Sequence, residues 1–259
     1  MRLTLIAAAL LSVLSIAPAF ADDAPAAPAA APAAPDPSPL TGNMTLTSEY
    51  LYRGIAQSNN RPAIQGGFDY VSPIGFYVGN WNSSITWISD TGTGASGGIE
   101  MDLYGGYRQS FGDFSFDVGT LYYYYPGNYT AAWKDAFDNP STLEVYGSVG
   151  YKWISLKYSR AMQNLFGNVG SKGSGYYEAN GTFDLGGGFG LTAHAGHQQV
   201  KKNYNAAYSD YKLGVTKDLG YATVGLAYSM TTAHKEFYFN SVNGDTGKNR
   251  WVLNVTKTF

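Results

Sequence analysis

The stretch "LYYYYPGNYT", Leu121–Thr130, decides how the chain is read: four consecutive tyrosines, Tyr122 to Tyr125, run into Pro126-Gly127. A soluble core would need a partner for every phenol, and a soluble surface seldom carries so much aromatic area in one place. A β-strand sends successive side chains to opposite faces. In a barrel wall Tyr122 and Tyr124 then face lipid near the outer interface, rings in hydrocarbon and hydroxyls among headgroups. Tyr123 and Tyr125 face the pore mouth and its water. Phe114 and Phe116, at the other end of the same strand, reach the inner interface, with Val118 and Thr120 between them. Pro126-Gly127 ends the strand, because proline cannot donate to a ladder.

The same period of two recurs in segments about ten residues long, the length and pattern of strands that cross an outer membrane with a tilt. The outward members begin Met44, Leu46, Ser48, Tyr50, Tyr52, then Ile64, Gly66, Phe68, Tyr70, then Tyr77, Gly79, Trp81, Ser83, Ile85. They close with Trp251, Leu253, Val255, Lys257 and Phe259. A soluble β-sandwich also alternates, but over strands of about five or six residues. Connections alternate in length: "SPIG", "QSFGD", "KW", "GGG" and "KDLG" are tight turns, while "GIAQSNNR", "SDTGTGASGG" and "PGNYTAAWKDAFDNPS" are long and polar. The expected fold is all-β: a transmembrane antiparallel up-and-down β-barrel of about twelve strands, with short periplasmic turns and long extracellular loops. Ten and fourteen strands are the alternatives. An even number puts both ends of the barrel on the periplasmic side.

Composition agrees. Glycine supplies 32 of 259 residues, above the ordinary share of roughly 7%. Tyrosine and phenylalanine contribute 22 and 13, and charged residues only 14%. Residues 1–21 read as a signal peptide: Arg2, an apolar run from Leu3 to Ile16, and Ala19-Phe20-Ala21 as the cleavage motif. Residues 22–40 are an alanine- and proline-rich stretch that cannot bury enough to order itself, expected as a disordered periplasmic tether, and 41–259 form the barrel. There is no cysteine for a disulfide framework. A net charge of −2 argues against nucleic acid as a partner. No second run after the leader is long and apolar enough for a membrane helix.

With the outward faces assigned, the polar members point into the lumen. The candidate lumen-lining residues are Glu49, Arg53, Asp69, Glu100, Asp102, Arg108, Asp117, Glu144, Lys157, Glu178, His194, Lys212 and Arg250, with Lys152 and Asp184 beside them. The aromatic belt comprises Tyr50, Tyr52, Trp81, Tyr122, Tyr124, Tyr158, Trp251 and Phe259. Twelve strands fall between barrels filled by side chains and open porins, so the expected pore is narrow and partly plugged. Glu100 and Asp102, two apart, point the same way. They read as ladder partners for Arg53, Lys157 or another lumen base, ahead of a cation-attracting constriction.

The functional expectation is a porin-like channel for passive diffusion of small hydrophilic solutes or ions. The alternative is a non-conducting barrel whose long loops bind a partner or lipid. An enzyme is not expected, nor a cofactor or metal. Among His194, His197 and His234, only His197 faces out near the rim, where a lipid hydrolase would need it, and its own strand offers no alternating serine. His194 and His197, three apart on a strand, point to opposite faces and cannot share a metal. Expected partners are outer-membrane lipid and lipopolysaccharide, small solutes, and the barrel-assembly machinery, because a closing strand ending in Phe259 resembles the sorting signal of bacterial outer-membrane barrels. Lys201 and Lys202 in "QQVKKNYN" are the candidates for lipopolysaccharide phosphates.

The segments "TSEYLYRGIAQSNNRPAIQGGFDY" and "GFYVGNWNSS", with "EMDLYGGY", "LYYYYPG", "EVYGSVGYKW", "SGYYEAN" and "DYKLGVTKDLG" later, resemble a proteobacterial porin-like family of the TorF type, formerly a conserved hypothetical exported family. The resemblance spans about Thr41 to Phe259. It implies an outer-membrane barrel and a pore in a Gram-negative bacterium. It implies no substrate and carries over no functional residues.

Overall fold

The computed structural model describes residues 39–242 and 244–259. The expected signal peptide, and the expected tether as far as residue 38, lie outside the described residues. The elements are β1 (Leu40–Thr47), β2 (Leu51–Tyr52), β3 (Ile55–Ala56), β4 (Ala63–Val71), β5 (Phe76–Ser84), β6 (Ile99–Phe111), β7 (Phe114–Tyr124), α1 (Ala131–Ala136), β8 (Thr142–Tyr151) and β9 (Ile154–Ala161). They continue with β10 (Gly175–Gly186), β11 (Phe189–Gln199), β12 (Tyr208–Asp218), β13 (Thr223–Thr231), β14 (Phe239–Asn240), β15 (Gly244–Asp245) and β16 (Arg250–Thr258).

Twelve strands, β1, β4 to β13 and β16, form one closed antiparallel barrel in which sequence neighbours pair and β1 meets β16. At the seam Met44 lies opposite Lys257 and Leu46 opposite Val255. The Phe259 amide donates to the Gly42 carbonyl at 2.8 Å. Closure satisfies every edge, which is what a sheet surrounded by hydrocarbon requires.

The outer face bears Leu46, Phe68, Leu103, Val118, Leu156, Leu213, Leu226 and Leu253, all large, apolar and uncovered by protein. Leaving that much aliphatic surface in water is unfavourable by about 25 cal/mol per Å², so its place is in lipid. No helix among the described residues is long and apolar enough to cross a membrane; here the strands cross. Leu40 pairs with Tyr70 beside the Ser72–Gly75 turn, and Thr258 pairs with Asn43, so both ends of the barrel sit at the short-turn end.

Two outward assignments are corrected. In β5 the phase is reversed: Phe76 and Val78 face out, while Tyr77, Trp81 and Ser83 are buried inside. Apolar residues occupy both parities of "FYVGNWNSS", so alternation alone is ambiguous there. The partners decide it. Trp81 stands opposite Gly67 and Asp102, and its ring meets Tyr50 edge-on at 5.5 Å. Asn80 and Asn82 then face outward. They tolerate it because their amides bond each other at 2.6 Å and the Asp102 and Gly66 carbonyls at 3.0 and 3.4 Å.

Tyr50 and Tyr52, expected in the belt beside Trp81, are also interior, with 0% and 8% exposure. The outward alternation of β1 stops after Ser48, which still donates its amide to the Leu253 carbonyl at 2.8 Å. The chain then turns into the barrel instead of rising above it. The rest of the expected belt, Tyr122, Tyr124, Tyr158, Trp251 and Phe259, lies on the outer face, with Tyr122 and Tyr124 stacked at 6.2 Å. Tyr123 and Tyr125 do point inward, but they meet protein, not water.

Candidate functional site

The inward segment 49–62 builds the centre of the lumen from residues far apart in sequence. Its base is held by Glu49, whose carboxylate accepts from Arg250 Nη1 at 2.7 Å and from the Asn60 amide at 2.6 Å. Arg250 also donates to Asn60 Oδ1 at 2.6 Å and to the Asp245 carbonyl at 2.9 Å. The segment doubles back as the β2–β3 hairpin, with Arg53 and Gly54 as its two-residue turn, both at positive φ (48° and 75°). Two such residues in succession give the turn that matches strand twist, and glycine takes this backbone without strain. A Cβ at Gly54 would stand 2.5 Å from Thr231 Cγ2 and 3.0 Å from Asp210 Cβ, so the tip is seated against β12 and β13.

That seat is polar. Arg53 donates to both Glu144 oxygens, Nη1 at 3.1 Å and Nη2 at 2.8 Å, and to Gln198 Oε1 at 2.8 Å. Its guanidinium lies 4.0 Å from the Tyr176 ring centre and 4.8 Å from that of Tyr52. Both partners of the ion pair are 3% exposed. A bidentate, buried pair of this kind fixes orientation as well as adding energy. Along the hairpin, Tyr52 donates its hydroxyl to Tyr123 at 2.7 Å, and Tyr123 reaches Glu144 at 3.4 Å. Tyr50 and Tyr125 both donate to Glu100, each at 2.6 Å. The tyrosine run is therefore satisfied by the inserted hairpin and by two lumen carboxylates.

Glu100 thus pairs with phenols and Glu144 with Arg53, whereas Lys157 takes Glu178 at 3.4 Å. The expected ladder between Glu100 or Asp102 and a lumen base is corrected by this arrangement. Asp102 is 1% exposed and its Oδ1 has no hydrogen-bond partner among the described residues.

A second network lies across β10, β11 and β12. Asn180 donates to Glu178 at 2.8 Å, which turns its oxygen toward His194 Nδ1 at 2.6 Å. His194 Nε2 faces Asp210 at 2.9 Å, and the Tyr176 hydroxyl donates to the same carboxylate at 3.0 Å. The Tyr176 hydroxyl also lies 2.9 Å from His194 Nε2, so the ring is held from both nitrogens. The close fit depends on Gly196, where a Cβ would meet the Tyr176 hydroxyl at 2.0 Å.

Toward the short-turn end the inner face stays polar and is less covered. Tyr104 donates to Asp69 at 2.6 Å and Tyr77 to Asp117 at 2.7 Å; Tyr77 also bonds Tyr146. The Arg108 guanidinium lies 5.3 Å from the Tyr77 ring, and Lys212 stands opposite His194, half-buried. Two further positions differ from expectation or sit at its edge. Lys152 lies not in the lumen but in the exposed β8–β9 turn at φ 53°, 3.7 Å from Asp113, because a two-residue turn there needs positive φ. Asp184 accepts the Gly186 amide at 2.8 Å, at the rim.

The long connections close over the other end. In the β7–β8 connection Thr130 caps α1 by accepting the Trp133 amide at 3.2 Å, and buried Trp133 packs on Phe137 at 4.8 Å and Tyr129 at 5.2 Å. The Tyr129 phenol, pushed up to about 12 by burial and the neighbouring Tyr124, remains a donor to the Tyr125 carbonyl at 2.7 Å. Burial likewise raises Tyr238, which donates to the Ala206 carbonyl at 2.6 Å.

Sequence reasoning missed Tyr176, Gln198 and Asp210. Gln198 and Asp210 fall at the two ends of "QQVKKNYNAAYSD" (198–210), which reads as a long polar connection, although each continues the inward alternation of its strand, beside Gly196 and Lys212 respectively. That continuation is the signal that could have found them. His197 faces out, and its Nδ1 lies 3.0 Å from Ser209 Oγ on the neighbouring strand.

A closed barrel, apolar outside and charged within, defines an outer-membrane β-barrel protein with a polar, hairpin-filled lumen. The chain belongs to the family described as "bacterial protein of unknown function (Gcw_chp)", whose profile matches residues 29–259. No curated protein matches it. Among solved structures it is similar to the KdgM porin in complex with disordered oligogalacturonate: 7% identity, TM-score 0.52, 85% of this chain and 98% of that one. It is similar also to the NanC porin, at 10% identity, TM-score 0.52 and the same coverage. At such identities the likeness is one of fold.

Proposed function

We propose that the protein is an outer-membrane channel for passive diffusion of small hydrophilic solutes or ions in a Gram-negative bacterium, as the TorF-type resemblance implies. The reading rests on one observation: the inner wall is charged from rim to rim, and the inserted hairpin narrows it at Arg53 and Glu144. Lysine, arginine and carboxylate side chains around an aqueous path are what a porin lumen presents. Both solved structures named above are porins, which supports the same reading. Asp69 and Asp117, on the less covered part of the inner wall, lack a cation within ion-pair distance among the described residues, which favours mild cation preference. Export by a cleaved leader and insertion by the barrel-assembly machinery complete the proposal.

One observation favours a second reading, a non-conducting barrel that binds through its loops: the hairpin seat is dry, with Arg53 and Glu144 both buried. Planar-bilayer recording of purified protein separates the two. Discrete conductance steps are expected, and their absence at every voltage defeats the channel. A lipid hydrolase is not favoured by the His197–Ser209 pair alone, because among the described residues no carboxylate hydrogen-bonds His197 to orient it. Hydrolysis of labelled phospholipid that His197→Ala abolishes would reverse that judgement.

A further inference from the structure

At the long-loop rim, on the lipid side of the wall, lies a cavity of about 410 Å³ lined by Arg160, Lys172, Lys201 and Lys202, with Ala161 and Met162 as its apolar lining. Arg160 belongs to the outward face of β9, two residues beyond Tyr158, whose ring packs on Tyr177 at 4.7 Å. Paired interfacial tyrosines mark the level where hydrocarbon gives way to headgroups. Arg160 therefore stands one step above it, at the height of lipid phosphates, and the three lysines line the same cavity.

They also converge. The point where a Cβ would project from Gly173 is 3.2 Å from Lys201 Nζ and 3.5 Å from Arg160 Nη2, and the equivalent point at Gly170 is 3.9 Å from Lys202 Nζ. None of the four forms an ion pair among the described residues. The two connections that supply the lysines, "MQNLFGNVGSKGS" (162–174) and "VKKNYNAA" (200–207), contain no acid. In a chain with net charge −2 and 17 lysines and arginines in all, four gathered without a counter-charge are a deliberate concentration of one sign. Like charges held this close repel unless an anion sits among them. Lysine and arginine can lay their stems along the apolar lining while their heads reach that anion.

We propose that this cavity binds the phosphate groups of an outer-leaflet glycolipid of the lipopolysaccharide type, Arg160 and Lys201 gripping one phosphate while Lys172 and Lys202 flank it. The site lies outside the lumen and is independent of conduction. It anchors the barrel laterally and fixes its depth in the leaflet.

The test is a lipid titration of full-length protein in detergent, read by native mass spectrometry. The probes are bisphosphorylated lipid A, the same lipid without its phosphates, and inorganic pyrophosphate. Wild-type protein is expected to bind the first probe best. The triple variant Arg160→Gln/Lys201→Gln/Lys202→Gln should lose on the order of a hundredfold in affinity, roughly fivefold for each cation at a membrane surface. Dephosphorylated lipid should bind wild type as weakly as the variant binds lipid A. Unchanged conductance and heat-dependent gel mobility of the variant are expected and show that neither the lumen nor the fold was disturbed. Equal affinity of wild type and variant for lipid A overturns the proposal. Pyrophosphate binding as tightly as lipid A, with the same loss in the variant, overturns the lipid as its ligand in favour of free anions.

Discussion

Replacing Arg53 by alanine removes the two bonds to Glu144, at 3.1 and 2.8 Å, the bond to Gln198 at 2.8 Å, and the stacking on Tyr176 at 4.0 Å. Glu144, 3% exposed, is left with only the long 3.4 Å bond from Tyr123. Breaking one side of a buried pair costs about 3–5 kcal/mol, chiefly because the remaining charge is stranded. At about 1.4 kcal/mol per tenfold, the ratio of docked to released hairpin falls by about two to three and a half powers of ten. The barrel itself is held by its closed ladder and should survive. The chain contains no cysteine, so a single Ala56→Cys reporter, at a position only 1% exposed, reads hairpin release by thiol labelling. In the Arg53→Ala background labelling should accelerate by roughly the same two to three and a half powers of ten, and bilayer recordings should show larger or more frequent openings. Unboiled protein should still migrate differently from boiled protein. Arg53→Met with Glu144→Leu, which removes both charges and keeps apolar volume, should return labelling toward wild type. Wild-type labelling in Arg53→Ala, or a double variant as labile as the single one, would refute the argument that this pair holds the hairpin.

Gly54→Val forces a β-branched residue to φ 75° and drives a Cβ to 2.5 Å from Thr231, so hairpin docking should weaken by about 1–3 kcal/mol, seen with the same reporter. Asp69→Asn and Asp117→Asn together remove two carboxyl groups from the less covered part of the inner wall; reversal potentials should move toward zero selectivity, and strong anion preference of the unaltered channel would contradict the proposed function. In variants retaining one tryptophan, brominated acyl chains should quench Trp251, 65% exposed on the outer wall, and leave Trp81, 4% exposed inside, unquenched. Quenching of Trp81 would reinstate its place in the belt.

How far the sequence reached is visible residue by residue. For Leu103, Val118 and Leu213, alternation was enough, since the neighbouring Asp102, Asp117 and Lys212 mark the inward parity. For β5 it was not, because Tyr77 and Trp81 compete with Phe76 and Val78, and aromatic rings suit an interface and a packed interior alike. Tyr50 and Tyr52 were misassigned for a related reason: nothing local announces that the chain leaves the wall after Ser48. The acidic and basic inventory of the lumen was legible from parity. Its pairing was not.

The chain by itself determined a closed, membrane-spanning barrel. A strand of period two with one apolar face must put that face in lipid, and lipid forbids an unpaired edge. Alternating short and long connections then set which end carries the loops. Only the tertiary structure decided that segment 49–62 fills the lumen, that Arg53 meets Glu144, 91 residues away, and Gln198, 145 away, and that four cations gather at one rim cavity. Those contacts cross the barrel or join neighbouring loops, and their energies depend on burial and on partners that no local pattern encodes.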